Sequence, residues 1–329
     1  MSISIIIPTI GRKLDLLKVL ESIEANSVKP HEVLIIDQGG LDQDIFKKFN
    51  LNLTLIKINK KSLTQAENIG AELAKGEIIS ILDDDVVLDK DYLKSVLKSF
   101  EKHKKVKIVQ GKIMNDRRHW LINFFWWIFL GPGSFTQNNF VRLYNLENFH
   151  NSHLNKEIFC MWASGCNMNI KKDVFDYEKF DSQLLRAAYG GEDVDFSFRV
   201  YKRFGINSIL FQPRAKLIHN VASSMRLPKY SHMLMRRIHM LYLCHKNIEH
   251  LTGVKHAIKH VWYIFGCALL SMLRIFKGDY KSIFYFFAIE YQVLLHKRDI
   301  KNLDIEWMNL KLFNEKSIPR ARIIKKYVL

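Results

Sequence analysis

Cysteine is scarce in this chain of 329 residues. There are four, Cys160, Cys166, Cys244 and Cys267, far apart in sequence. No two have the C-x2-C spacing of a zinc site and no disulfide framework is suggested, so a reducing, intracellular compartment fits best. Long apolar runs are missing as well. Nothing reaches the ~18–20 consecutive apolar residues of a membrane span. The first apolar run, residues 3–8, is short and has no basic segment before it, which excludes a secretion signal. There is no internal repeat and no low-complexity stretch. The G-x-G-x-x-G and P-loop patterns are absent, which argues against a dehydrogenase or an NTPase. No nucleic-acid-binding module is recognisable, so nucleic acid is not an expected partner.

What is present is ordinary in bulk and uneven in charge. Hydrophobic residues make up 48% and charged residues 25%, enough for a sizeable core. The formal net charge is +17, and residues 226–329 hold 19 Lys/Arg against 7 Asp/Glu, so most of the excess is C-terminal. A basic surface attracts anionic lipid, acidic polymers or nucleic acid, and charge alone does not choose among them.

Apolar periodicity alternates between strand and helix along the chain. β-branched runs at 3–7, 32–36, 53–58 and 78–82 read as buried strands. Residues 13–25 have helical spacing, and 62–75 read as a helix that Gly76 terminates. Further on, 92–103 is helical, 106–110 a strand, 158–170 strand-like, 190–204 a loop opening a helix, and 206–211 a last strand. From about 228 the pattern is helical and basic. Such alternation predicts an α/β fold with a mostly parallel sheet flanked by helices. Ligands of such sheets gather at the carboxyl ends of the strands. Pro8 and Thr9, Asp37, and the triplet Asp83, Asp84, Asp85 all sit at such ends.

Three adjacent carboxylates repel one another, so a strand end that carries them is costly without a cation. Mg²⁺ or Mn²⁺ takes oxygen ligands and is often completed by substrate phosphates. Asp83 and Asp85, two apart, can both point at one site if the strand ends in a turn. An exposed acidic loop is the alternative, and a position after a buried strand favours the metal.

Five stretches, in order, carry a resemblance: residues 4–12 (SIIIPTIGR), 33–39 (VLIIDQG), 68–85 (NIGAELAKGEIISILDDD), 164–169 (SGCNMN) and 190–199 (GGEDVDFSFR). Together they resemble the motifs of family 2 glycosyltransferases of the GT-A fold, over about residues 3–220. The resemblance implies a GT-A catalytic domain over 1–225, with a donor half of about 1–112 and an acceptor half of about 113–225. A helical, basic region follows over 226–329. In this family, residues at the positions of Pro8, Thr9 and Asp37 hold the nucleotide base and ribose; a turn or turn cap is the plain alternative for each. The family's D-x-D maps onto Asp83, on the ribose side of the donor and at the metal, and Asp85, at the metal; Asn68 is assigned to the donor. Asp84, the variable middle position, is expected to matter least. His219 corresponds to a further metal ligand often found there. Glu192 and Asp193 resemble the acceptor-side acid motif, with Asp193 as the base for the acceptor hydroxyl and Glu192 supporting it or contacting the acceptor. Capping of the helix by Asp193 or Asp195 is the alternative.

The activity this implies is inverting, metal-dependent transfer of one hexosyl or deoxyhexosyl unit from a UDP- or dTDP-sugar to a glycan acceptor, lipid-linked, in bacterial surface polysaccharide biosynthesis. A nucleotidyltransferase would want a basic, glycine-rich loop after the first strand, and residues 10–12 are too meagre for one. A non-catalytic membrane- or polyanion-binding protein is the alternative of another class. The chain departs from the family where an arginine often precedes Asn-x-Gly: here Glu67 stands before Asn68, Ile69 and Gly70. An acid there cannot neutralise phosphate, so either Lys60 or Lys61 supplies the charge or the donor contacts differ. The Q-x-x-R-W signature of processive synthases is absent, which implies single-sugar addition.

In the basic tail, 261–273 and 283–295 are two thirteen-residue apolar stretches. As helices each spans ~20 Å, short of a ~30 Å hydrocarbon core. Lys255, Lys259, Arg274, Lys277, Lys281, Lys297 and Arg298 flank them. An apolar body with a cationic rim describes a helix lying in the membrane interface. The aromatic insert at 120–130 suits such an interface. The expected location is cytoplasmic, peripheral on the inner face of the cell membrane, with an anionic lipid surface as partner. A helical subdomain packed on the catalytic core is the alternative.

Overall fold

The computed structural model describes residues 1–115, 120–131, 154–184, 191–220, 228–248, 254–313 and 321–328. The four β-branched runs become β1 (Ile3–Thr9), β2 (Glu32–Asp37), β3 (Leu53–Ile58) and β4 (Ile78–Leu82), paired in parallel in the order β3-β2-β1-β4. Every residue of β1, β2 and β4 is buried, as in a parallel sheet covered on both faces. Successive side chains leave a strand on opposite sides, and that alternation builds two cores. Ile5, Ile7, Ile35 and Leu55 pack on one side with α1 (Lys13–Glu24) and α3 (Tyr92–Lys102). Ile6, Leu34, Ile56 and Ile79 pack on the other with α2 (Leu63–Leu73). Each such side chain contributes about 1.5–3 kcal/mol on burial.

Beyond β4 the sheet is mixed. The order continues β8 (Asn167–Lys171), β6 (Ile108–Ile113), β9 (Ile209–His219) and β5 (Val86–Leu88), with β7 (Ile158–Phe159) beside β9. β8 is antiparallel to both β4 and β6, while β9 runs parallel to β6. The helix-flanked α/β sheet expected from the sequence is therefore parallel in its first half and mixed in its second. Polar side chains inside this half are spent on the sheet itself. Asn169 accepts from Ser80 Oγ (2.7 Å) and donates to Tyr92 OH and the Val109 carbonyl (both 2.9 Å). Asn167 accepts from Gly111 N at 2.8 Å. Fully satisfied buried networks of this kind fix one strand order.

β9 corrects an expectation. The sequence ends this strand at 211, before Pro213, but in the structure it runs on to His219. The proline is accommodated in a bulge: the β6–β9 register jumps from Gly111↔Gln212 to Lys112↔Lys216. Gly111 permits the close approach, since a Cβ there would lie 2.5 Å from the Ala215 carbonyl oxygen. The extension matters because its end pairs with β5, Val86 opposite His219.

The C-terminal stretch packs on the sheet domain. α5 (Glu192–Phe204) shares a third core with α6 (Lys229–Asn247), Val194 and Phe198 meeting Leu234, Ile238 and Tyr242. Fully buried Asp195 of α5 accepts from Arg199 (2.9 Å), Lys246 (3.0 Å) and Asn247 (2.8 Å), so two helices are tied by one charge. α7 (Val254–Leu273) and α8 (Lys281–Leu295) follow, then α9 (Lys297–Lys301) and α10 (Glu306–Phe313). Arg237 of α6 grips Glu290 of α8 through two hydrogen bonds of 2.7 and 3.1 Å. α7 is longer than the apolar run alone implied: it has 20 residues, and among the described residues one helical segment, Ala257–Lys277, is long and apolar enough to cross a membrane. Residues 254–260, with Lys255, His256, Lys259 and His260 among them, continue the helix, which apolar counting could not register. The tail also holds a strand that the helical pattern did not announce. β10 (Ile323–Val328) pairs antiparallel with β3 and covers the edge that β3 would otherwise expose.

α2 crosses β1 at Gly70, where a Cβ would lie 2.5 Å from Ile6 Cγ2. Ile6 is β-branched and held in the sheet, so it cannot swing aside. Gly70→Ala is therefore expected to lower stability by about 1–3 kcal/mol despite alanine's better helix propensity. Urea unfolding of the two proteins measures it.

Candidate active site

The triplet follows β4 directly, and the turn that carries it folds back through β5 onto β9. This register brings His219 to the aspartates: its Nε2 lies 3.1 Å from Asp85 Oδ1 and 3.5 Å from Asp83 Oδ2. Asn115 fixes the histidine's backbone, accepting from its N–H (3.0 Å) and donating to its carbonyl (2.9 Å). The ligand atoms of Asp83, Asp85 and His219 all lie within 4.8 Å of one another, a donor set of two carboxylates and an imidazole that suits Mn²⁺ or Mg²⁺. The three predicted metal ligands are thus brought together.

Asp84 corrects an expectation. It is the most deeply buried of the triplet. The Thr9 hydroxyl donates to it (2.6 Å), and Arg12 donates through Nε (3.1 Å) and meets its other oxygen at 2.5 Å through Nη2. Arg12 Nη1 reaches on to Asp85 at 3.3 Å. The middle aspartate therefore ties the loop after β1 to the loop after β4. It has little freedom to vary here, because a fork of charge-assisted bonds depends on it. Arg12 is the residue that the sequence reading passed over. Its signal was only a basic residue following Gly11 after the first strand, and the structure puts this cation at the aspartates.

The second acid pair opens α5. Gly191, in a left-handed conformation (φ 74°), turns the chain into the helix. Asp193 accepts from Gly165 N at 3.1 Å and from Val194 N at 2.8 Å. The 164–167 loop also reaches the first acid cluster: the Cys166 carbonyl accepts weakly from Asp83 N (3.4 Å), and its thiol is hydrogen-bonded to His219. One short loop thus spaces the two acid groups. Glu67, the departure noted in the sequence, lies among them. It is fully buried, and its electrostatic neighbours are Glu192, Asp83 and Asp193. One carboxyl oxygen each of Glu67 and Glu192 is buried with no hydrogen-bond partner among the described residues.

The remaining candidates are placed as follows. Pro8 and Thr9 end β1, with Thr9 turned to Asp84. Asp37 ends β2 and accepts from the backbone N–H of Gly39, Gly40 and Leu41 (2.6–3.1 Å), so its carboxylate caps the following turn. Asn68 departs from its expected place at the donor: both ends of its amide close on the backbone of Phe180, at 2.8 and 2.9 Å. It latches α2 to the segment before α5.

Burial sets the electrostatics. It pushes the Asp83 carboxyl up to about 7, the His219 charge opposing and Asp85 assisting. Asp84 is raised by burial to about 6, held back by Arg12 and Thr9. Burial also raises Asp193, Glu192 and Glu67, the last two well above the usual carboxylate range, with neighbouring acids adding to both. For His219, burial by itself favours the neutral ring, but hydrogen bonds to Asp85 and Cys166 and the Asp83 charge outweigh it and raise it to about 11.

Fold and site together define a GT-A sheet with an acid–histidine cluster at its carboxyl edge. The family model for glycosyl transferase family 2 matches residues 4–162, a little under half of the chain, and this part is similar to that family. Among curated proteins it is similar to glucosyl-dolichyl phosphate glucuronosyltransferase of Haloferax volcanii, 20% identical over 61% of this chain and 63% of the relative. It is also similar to glycosyltransferase GlyG of Streptococcus pneumoniae, 25% identical over 34% of this chain and 39% of the relative. The chain thus spans under two thirds of each of these. Two solved structures share the fold. Mannosyltransferase PcManGT from Pyrobaculum calidifontis, solved with GDP-Man and Mn²⁺, has a TM-score of 0.52 at 15% identity, covering 89% of this chain and 75% of that one. S. aureus TarS 1-349 has 0.51 at 18%, covering 80% and 70%.

A cation at Asp83, Asp85 and His219 must displace protons. Both folded-state values lie above the unfolded ones, so this pair stabilises the metal-free fold most at low pH. That contribution falls as pH rises from the unfolded carboxylate range through about 7 for Asp83 and on through about 11 for His219. Metal binding has the opposite sign: Mn²⁺ affinity is expected to rise with pH, by about tenfold per unit for each proton displaced. Calorimetry in buffers of different ionisation enthalpy reads the released protons directly.

Proposed function

We propose that this protein is an inverting glycosyltransferase that moves one sugar from a nucleotide-diphosphate sugar, UDP- or dTDP-linked, to a glycan acceptor carried on lipid. The observation that carries this reading is the pairing of two acid groups across one loop: the Asp83–Asp85–His219 cluster and Asp193 with Glu192. The relative named as a glucosyl-dolichyl phosphate glucuronosyltransferase and the neighbour solved with GDP-Man and Mn²⁺ support the substrate class. Surface polysaccharide assembly at the cytoplasmic face of a membrane is the setting that fits such an acceptor.

Asp83, Asp85 and His219 would hold Mn²⁺ or Mg²⁺, whose charge would offset that of the donor diphosphate. Arg12 brings a basic side chain to this end of the sheet and orients the aspartates through Asp84. Pro8, Thr9 and Asp37 shape the floor under the nucleotide. Across the loop, Asp193 takes the proton of the acceptor hydroxyl as that oxygen attacks the anomeric carbon, and the nucleoside diphosphate leaves from the opposite face. Its raised proton affinity suits a base that must accept a proton near neutral pH. The buried, unspent oxygens of Glu67 and Glu192 accept hydrogen bonds from sugar hydroxyls. An acid at position 67 therefore serves the sugar, and the donor's phosphate charge is met elsewhere.

Two substitutions separate the roles. Asp85→Ala is expected to abolish the Mn²⁺-dependent part of UDP binding in calorimetry; UDP binding indifferent to metal in the native protein sinks the site. Asp193→Asn is expected to leave UDP binding within about twofold and lower transfer by about 10²–10⁴-fold. Turnover retained in that variant rejects Asp193 as the base.

A further inference from the structure

α7 and α8 are apolar outside as well as inside: Tyr263, Phe286 and Ile289 are buried against the protein, yet the outer faces are apolar too. On α8 the buried residues are Ser282, Phe286 and Ile289, and half-buried Glu290 is engaged by Arg237. The outward stripe is Phe284, Phe287, Tyr291, Leu294 and Leu295, repeating every three to four residues and exposed along the whole helix, Phe284 by 71% and Leu294 by 70%. α7 does the same with Ile258, Val261, Phe265, Met272 and, at the turn into α8, Phe276, which is 88% exposed. Two adjacent helices with apolar outer faces make a patch larger than scattered surface hydrophobes account for. α4 (Trp120–Ile128) extends it, since Phe129 stacks on Trp262 with centroids 5.2 Å apart.

The charge around this patch selects its partner. Lys277 and Lys281 flank the α7–α8 turn, and Lys297, Arg298 and Lys301 follow the end of α8, all exposed. Two acids beside the stripe are paired with cations of the protein itself, Asp279 with Lys229 and Glu290 with Arg237 (2.7 Å), and Asp299 is hydrogen-bonded to His296 (2.8 Å). A second copy of the chain seated on this face would set cation against cation. An anionic lipid surface would match both the apolar stripe and the cationic rim.

We infer that α7 and α8, with α4 beside them, lie in the plane of an anionic bilayer surface as an embedded platform, the chain not crossing the membrane. α7 is long enough to span, but its inner side is committed to the protein. Trp262 Nε1 donates to the Ile128 carbonyl at 2.9 Å, and a Cβ on Gly266 would collide with Phe129 at 2.3 Å. A spanning arrangement would break these contacts and strand the Arg237–Glu290 pair of its neighbours. This inference goes beyond the glycosyl-transfer reading and is tested apart from it.

The test is flotation of the full chain with vesicles of phosphatidylcholine alone and of an equal mixture of phosphatidylcholine and phosphatidylglycerol. Binding to the mixture is expected to be tighter by about tenfold or more, a preference that Lys277→Glu with Lys281→Glu removes. Phe284→Asp with Leu294→Asp is expected to weaken binding to the mixed vesicles by about tenfold or more. Both pairs are exposed, so circular dichroism should be unchanged. Alkaline carbonate should release the native protein. Resistance to carbonate means a span and overturns the in-plane arrangement. Native protein that ignores both vesicles, or an aspartate variant that binds as the native does, overturns the lipid partner, and a dimer by light scattering would then assign the face to a second copy.

Discussion

Negative charge at the end of β4 sets the terms for everything around it. Three carboxylates sit at or below the surface there, and water cannot screen them fully. The chain answers with cations and donors drawn from distant parts of the sequence: Thr9 and Arg12 from the loop after β1, and His219 from the end of β9. Each contact also fixes geometry. The Asp84 fork holds two strand ends in one register, and the His219 contact requires β9 to continue through its bulge. A donor set that could hold a divalent cation follows from the same arrangement, because the groups that solve the charge problem leave Asp83 and Asp85 facing one point.

The second acid cluster is placed by a different means. Asp193 owes its position to the start of α5, and α5 owes its position to α6 through the buried Asp195 network. The C-terminal helices are thus mechanically tied to the second acid cluster. β10 adds a further tie at the opposite edge of the sheet. The basic tail is not an appendage that could be cut away with the catalytic half left as it was.

Much of this was legible in the chain. The four parallel strands were, because β-branched runs buried on both faces leave an unbroken signature. So was the gathering of Asp83, Asp85 and His219, and of Glu192 and Asp193 at the start of a helix, because the ordered motifs of the resemblance mark those positions. The roles of Asp84, Arg12 and Glu67 were not. Each depends on what a side chain meets across the fold: Asp84 meets Arg12, and Glu67 meets three other acids in place of a phosphate. Asn68 was read as a donor contact, yet its amide is closed on Phe180. Local sequence cannot tell a polar side chain that faces a ligand from one that faces backbone.

What the sequence by itself determined is the alternation of strands and helices, the two acid groups and the excess of cations in the tail, since these are properties of composition and spacing. Tertiary structure alone decided which acids share a space, which cation neutralises which, and which side of α7 and α8 looks outward. Those outcomes are set by register, by a bulge that carries a proline and by packing, and none of these is encoded within a single stretch of chain.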